Sequence, residues 1–240
     1  MTSVAGPFGE GAGIAERAGR ILDRIAEAER KSRRPRGAVR LIAVTKTQPL
    51  PRVLEAHAAG LTVFGENYVQ EAAEKIPDVP GAEWHLIGKL QGNKVRKAVS
   101  LFSWLQTVDS GKRLLEISRA AVSAGRTVPV LIEVNIGGEE SKSGAGPEGL
   151  PGILAASAGL PGVRVEGLMA VPPFSPDPEA SRPYMARLRE LRDRLAGELP
   201  PGSLRELSMG MSNDFETAIE EGATMVRIGT AIFGSRTGRG

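Results

Sequence analysis

The 240-residue sequence contains no cysteine and only two histidines, His57 and His85. Without thiols there is no disulfide framework, no thiolate nucleophile and no cysteine-ligated metal, and two imidazoles are too few to expect a zinc site. The missing cysteine also agrees with a reducing compartment. No apolar run approaches the roughly 20 residues that cross a bilayer, and the opening MTSVAGPFGEGAG lacks the apolar stretch of a secretion signal. A cytoplasmic protein without membrane contact is expected. Excess charge of one sign is lacking too: 31 basic residues stand against 28 acidic ones, a formal +3, which is too balanced to point to nucleic acid. The densest basic run, Lys31-Ser32-Arg33-Arg34-Pro35-Arg36, holds a helix-stopping proline and reads as a solvated loop. Lys89, Lys94, Arg96 and Lys97 have no aromatic platform beside them and read as a solvated helix face. GEGAG at 9–13 follows no strand and is not a nucleotide fingerprint.

What the chain does have is a repeated strand-then-helix rhythm. Eight short, mostly continuous apolar segments read as strands covered on both faces: 40–45, 61–65, 84–88, 104–108, 128–135, 165–171, 204–209 and 225–229. Between them lie segments with helical spacing, clearest at 182–198, where Tyr184, Leu188, Leu191 and Leu195 recur at three- and four-residue steps. Others fit around 52–59, 66–75, 93–99, 111–124, 148–158 and 214–221. No helix of useful length follows the eighth strand, but an amphipathic one with Ile14, Ala18, Ile21, Ile25 and Ala28 on one stripe precedes the first and could cover the bare position. Eight such steps in one chain fit a single-domain (β/α)8 TIM barrel over 1–240, which typically takes about 250 residues. Residues 1–12 are expected to be flexible, and a doubly wound open sheet is the alternative. The Gly-rich loop 136–149 and the Pro-rich loop 171–178 would open on the carboxyl face of the strands, where barrels do their chemistry.

Lys46 ends the first strand in AVTKTQ, 43–48. A lysine desolvated between apolar walls can become nucleophilic enough to attack a carbonyl and form an imine, whereas an ordinary one snorkels to water. LSMGMSND (207–214) and VRIGTAIFG (226–234) follow strands seven and eight, whose loops commonly build phosphate sites. There Ser208 offers a hydroxyl, Gly229 close backbone approach, and Thr230 both an N–H and a hydroxyl, although a plain turn is equally compatible with the Gly-Thr pair. Ser212 reads as a helix N-cap before Asn213 and Asp214, with phosphate contact as the other option. Arg227 lies inside strand eight and needs an acceptor, either a carboxylate or a ligand. His85 reads as a satisfied packing residue, with orientation of a ring or a phosphate-bound water as the other option. An imine-forming lysine, an anion cradle and an inward arginine together describe pyridoxal 5'-phosphate.

The chain resembles the pyridoxal-phosphate-binding homeostasis protein family, also called the YggS-like or proline synthetase co-transcribed family, whose barrel is shared with the amino-terminal domain of alanine racemase. The similar stretches are AVTKTQ, FGENYVQE (64–71), WHLIGKLQGNK (84–94), SKSG (141–144), GLMAV (167–171), LSMGMSND and VRIGTAIFG. They run in order from the first strand to the end of the last. After Trp-His the family usually carries Phe or Met, and Leu86 conserves that volume. The resemblance implies that Lys46 carries the cofactor as an imine, that Asn67 lies beside its ring, that Ser208, Gly229 and Thr230 hold the phosphate, and that Arg227 faces the pyridine nitrogen. It further implies a monomeric carrier or buffer of vitamin B6 without an established reaction, whose partners include apo-enzymes that use the cofactor. Two other readings stand beside it. A racemase needs bases on both faces of the ring, and only Tyr68 and Tyr184 are available, neither in an added β domain. A Schiff-base phosphosugar aldolase needs acid/base carboxylates around its lysine, and none is seen at these strand ends.

Overall fold

The protein was analysed as a computed structural model, in which residues 12–139 and 143–234 are described. The opening segment to residue 11, most of GEGAG and the first two residues of SKSG lie outside them. The eight strands are β1 (Arg40–Val44), β2 (Val63–Glu66), β3 (Glu83–Leu86), β4 (Trp104–Val108), β5 (Val128–Glu133), β6 (Val163–Met169), β7 (Glu206–Ser208) and β8 (Met225–Ile228). They are parallel and pair in sequence order, and β8 closes on β1. The closed barrel is therefore the architecture, and the open sheet is excluded. Among the described residues no helix is long and apolar enough to cross a membrane, and no cluster of His, Cys, Asp and Glu could hold a metal.

The helices are α1 (Ile14–Lys31), α2 (Leu50–Ala58), α3 (Val69–Lys75), α4 (Val95–Leu101), α5 (Gly111–Ser123), α6 (Leu150–Ser157), α7 (Arg182–Gly197), α8 (Phe215–Glu220) and the single turn α9 (Thr230–Phe233). The stripe Ile14, Ala18, Ile21, Ile25 and Ala28 is buried, and α1 packs against α2, α8 and α9. It thus closes the helical ring at the position that α9 is too short to cover. Each buried isoleucine of that stripe contributes about 1.5–3 kcal/mol. The basic run after α1 is more than a solvated loop. Arg34 Nη1 donates to the Ala223 carbonyl at 2.6 Å and to that of Ile219 at 3.3 Å, which ties the loop after α1 to the end of α8 and the turn beyond it. The expected third helix begins at Val69 rather than at Glu66, which stays in β2.

Side chains alternate across a strand, so each strand sends one row into the barrel. The β1 row is Arg40, Ile42, Val44 and then Lys46. Ile42 packs with Leu131, Met169 and Met225 inside the barrel, and Val44 and Lys46 line a cavity above them. The β8 row is Met225, Arg227 and Gly229, with Ile42 and Arg227 as paired positions across the β1–β8 seam. The complementary rows, such as Leu41 and Ala43 or Val226 and Ile228, face the helices and belong to the main core.

Candidate functional site

The period-two rows of β1 and β8 deliver Lys46, Arg227 and Gly229 to one cavity of about 470 Å³ at the carboxyl mouth of the barrel. Asn67, from the loop after β2, and Thr230 line it as well, so five of the six residues expected at the site surround one space. Ile87 after β3, Val171, Pro173, Phe174 and Ser175 after β6, and Met211 to Asp214 after β7 complete the wall. A cavity of this size encloses a small organic ligand. Phe174 is 83 % exposed on the rim, and Asn213 Nδ2 ties the loop that carries it by donating to the carbonyls of Ser175 at 3.0 Å and Pro176 at 3.3 Å.

Lys46 is half-buried, in a turn held from outside the barrel. Thr47 has φ 61°, a left-handed conformation that costs a residue with a side chain about 1–3 kcal/mol. The turn holds because Thr47 N–H donates to Glu71 Oε1 at 2.6 Å, and Lys75 Nζ donates at 2.7 Å to each of Thr45 O, Glu66 Oε1 and Glu71 Oε1. The Thr45 hydroxyl also donates to Glu66 Oε1, at 2.7 Å. Burial nonetheless pushes the Glu66 carboxyl above its ordinary value, against the pull of Lys75 and Thr45. Glu66 and Lys75 lie within matched or helical stretches, but nothing in the sequence distinguishes them from surface charges. Only the contact between β2 and α3 reveals the clamp.

Asn67 is placed by a close backbone approach. A Cβ on Gly88 would lie 2.3 Å from the Asn67 carbonyl oxygen, and Thr107 Oγ1 fixes Gly88 by donating to its carbonyl at 2.8 Å. Arg227 is buried, yet no carboxylate pairs with it among the described residues. Its Nη1 donates to Ser208 Oγ at 2.6 Å and its Nη2 to the Ala170 carbonyl at 2.9 Å. Burial pushes the guanidinium down to about 10, opposed by the fields of Asp214 and Glu133, so it stays charged at neutral pH.

Ser208 does not line the cavity. It lies beneath Arg227, its lone pair taken by Arg227 Nη1 and its proton given to Gln106 Oε1 at 2.7 Å. A hydroxyl so committed supports the arginine, and the phosphate contact expected of it from strand position is not where the structure puts it. Ser212 is corrected in the opposite direction. Helix α8 begins at Phe215 with Asp214 in the cap position, and the Ser212 hydroxyl instead accepts from Ala231 N–H at 3.3 Å, joining the β7 loop to the first turn of α9. It faces the cavity beside Thr230. The N–H groups of Ser212 and Thr230 meet no acceptor among the described residues. Asp214, the one carboxylate in the wall among the described residues, accepts from Met211 N–H through Oδ1 at 2.7 Å. His85 is fully buried and hydrogen-bonded at both ring nitrogens, and it does not line the cavity.

The model of the alanine racemase amino-terminal domain family matches residues 18–237. Curated relatives named pyridoxal phosphate homeostasis protein include one from Pseudomonas aeruginosa, 46% identical over 93% of this chain and 96% of its own. Another, from Aquifex aeolicus, is 44% identical over 92% and 97%. This chain belongs to the pyridoxal phosphate homeostasis protein family. A solved structure of PipY from Synechococcus elongatus, described as having PLP bound, superposes with a TM-score of 0.80 at 37% identity and covers 92% of this chain and 100% of its own. For a ligand with an aldehyde, an anionic group and a basic ring nitrogen, the described wall offers the Lys46 amine, the backbone N–H groups and hydroxyls of Ser212 and Thr230, and a guanidinium that stays charged at neutral pH. The residues present therefore fit pyridoxal phosphate.

Proposed function

We propose that this chain holds pyridoxal 5'-phosphate in the barrel-mouth cavity, covalently through Lys46, and serves vitamin B6 homeostasis as a carrier or buffer. The observation that carries the reading is that Lys46, the only lysine lining the cavity among the described residues, shares that space with Arg227 and the Gly229-Thr230 turn. When bound, the cofactor supplies an aldehyde carbon that a primary amine can attack and a conjugated ring whose colour reports that bond. Lys46 Nζ provides the amine. Arg227, donating without being able to accept, would face a ring nitrogen that stays unprotonated, so that the ring would be a weak electron sink. Asn67 would lie beside the ring, and Thr230 and Gly229, with Ser212 beside them, would offer N–H and O–H donors to the anion. Val171, Pro173 and Phe174 form the apolar side that limits water.

Asp214 lines the cavity, whereas Tyr68, Tyr184, His57 and His85 do not. A monomeric single barrel, working in the cytoplasm and passing its cofactor to apo-enzymes, completes the reading. The test is to incubate the purified protein with pyridoxal phosphate, remove the excess and record the spectrum. A yellow wild type reducible by borohydride, with Lys46→Ala colourless, is expected. A wild type that stays colourless would overturn the binding assignment. Racemisation of a common amino acid at enzyme-like rates would overturn the carrier role.

A further inference from the structure

A continuous chain of polar groups runs through the barrel from the partly exposed Arg40 and Glu83 at its amino-terminal mouth to the cavity. Glu83, at the first position of β3, accepts from Arg40 Nη1 at 3.3 Å and meets His85 Nε2 at 2.6 Å. His85 Nδ1 lies 2.7 Å from Gln106 Nε2, Gln106 Oε1 accepts from Ser208 Oγ at 2.7 Å, and Ser208 Oγ accepts from Arg227 Nη1 at 2.6 Å. His85, Gln106 and Ser208 are all buried. Barrel interiors are ordinarily filled by branched apolar residues, so four polar side chains in a line there call for an explanation beyond packing.

For a neutral imidazole, the form that burial of His85 favours, the donors and acceptors can be assigned in only one direction. A carboxylate held by Arg40 can only accept, so His85 Nε2 must carry the proton. In the neutral ring Nδ1 is then bare, and the Gln106 amide must turn its NH₂ to it. Gln106 therefore presents its oxygen to Ser208, Ser208 spends its single proton there, and its lone pair is left facing Arg227. The charge on Glu83 thereby sets the polarity of every bond up to the guanidinium. Stacking of His85 on Trp104, with ring centroids 5.5 Å apart and planes 18° from parallel, holds the imidazole in the plane this requires.

We propose that His85, Gln106 and Ser208 are positioning residues: a one-way hydrogen-bond relay, polarised by Glu83 at the far mouth of the barrel, that locks the Arg227 guanidinium in the orientation it presents to the cavity. The lock acts from beneath, while Ala170 O holds the other arm of the guanidinium. The part that concerns the cofactor rests on the reading that the cavity takes pyridoxal phosphate. The lock itself is a property of the protein without it.

The experiment uses ¹⁵N-labelled full-length protein without and then with pyridoxal phosphate, in wild type, Glu83→Gln, Gln106→Leu and Ser208→Ala. With only two histidines, the ring nitrogens are readily assigned, using His57→Gln as the reference. Wild-type His85 is expected as the neutral Nε2–H form, and Arg227 is expected to show two resolved Nη environments, identified by their loss in Arg227→Lys. Glu83→Gln should release the tautomer, and each of the three variants should merge the Arg227 Nη signals. With cofactor, those variants should shift the absorption maximum of the bound form and lose about tenfold in affinity, the scale on which removing a group behind a ligand-contacting residue acts. An Nδ1–H His85 in wild type would overturn the polarity of the relay. Arg227 signals unchanged in all folded variants would overturn the lock. If the lock behaves as stated while the spectrum and affinity of the loaded protein stay those of wild type, the relay is structural and the proposal fails. If wild type takes up no pyridoxal phosphate while the apo signals behave as stated, the cofactor reading has failed and the lock has not. Ser208→Ala, the smallest change, stands in should Gln106→Leu not fold.

Discussion

Replacing Lys75 by methionine removes the centre of the clamp that holds the Lys46 turn, and its cost can be worked out from the contacts. Lys75 is 5 % exposed and Glu66 is 0 % exposed. The Lys75 ammonium makes three hydrogen bonds of 2.7 Å, two of them to carboxylates. Methionine fills most of the volume, so the loss is electrostatic. The ionised Glu66 would keep the Thr45 hydroxyl as its only donor, and Glu66 Oε2 already has no partner among the described residues. Breaking a buried pair from one side costs about 3–5 kcal/mol, out of a net stability on the order of 5–15 kcal/mol. With a guanidinium slope of about 4–6 kcal/mol/M, the denaturation midpoint should fall by roughly 0.5–1 M. The sign with pH provides a second check. Burial raises the folded-state value of Glu66 above the ordinary 4.5, so the stability linked to it is complete below that value and is lost as pH rises through the folded one. Without Lys75 the folded value climbs further, and the deficit should widen between pH 5 and pH 8. Lys75→Met with Glu66→Gln should regain a large part of it, because no uncompensated charge then remains. A single-variant deficit under about 0.5 kcal/mol, or one constant across that pH range, would refute the reasoning.

Gly88→Ala places a methyl 2.3–2.8 Å from three backbone atoms of Asn67, which cannot swing aside as a side chain would. A loss of about 1–3 kcal/mol in thermal or chemical denaturation, together with weaker retention of pyridoxal phosphate, is expected. Burial lowers the folded-state value of His85 below 6.5, so its contribution is complete above 6.5 and is lost as pH falls toward that lower value, with a slope approaching about 1.4 kcal/mol per pH unit. Glu66 and Glu133, both raised by burial, act in the opposite sense. The difference between wild type and His85→Phe in denaturation at pH 5 to 7.5 isolates the histidine, and parallel curves would contradict the assignment. Asn213→Ala should cost about 0.5–1.5 kcal/mol and speed amide exchange across Phe174 to Asp177, since two carbonyls of that loop lose their donor.

The barrel was legible because parallel strands covered on both faces announce themselves as short apolar runs, and the amphipathic stripe from Ile14 to Ala28 marked the helix that closes the ring. The chemistry at the strand tips was legible in part. Lys46, Arg227 and Gly229 lie on rows of period two, and once the strands are placed their direction follows. What could not be read were partners brought together from distant strands. Ser208 ends its strand just as a phosphate contact would, and only the approach of Gln106 and Arg227, from β4 and β8, shows that its hydroxyl is already spent. Ser212 precedes Asn213 and Asp214 as an N-cap would, but α8 starts later and the hydroxyl turns to Ala231. Lys75 and Glu66, nine residues apart, meet because one ends β2 and the other ends α3, a spacing no helix or strand period would flag.

The two cations of the cavity are held in ways that suit different tasks. Around Lys46 the fixed groups are the backbone before it and after it, gripped by Lys75 at Thr45 and by Glu71 at Thr47. At Arg227 the named contacts fall on the head group. Its strand would hold the backbone in any event, and the locks at Ser208 and Ala170 act on the guanidinium itself. On the proposed reading, Lys46 would supply the bond to the aldehyde and Arg227 the contact to the ring, and both would be positioned by groups, Lys75 and Ser208, that lie outside the cavity wall.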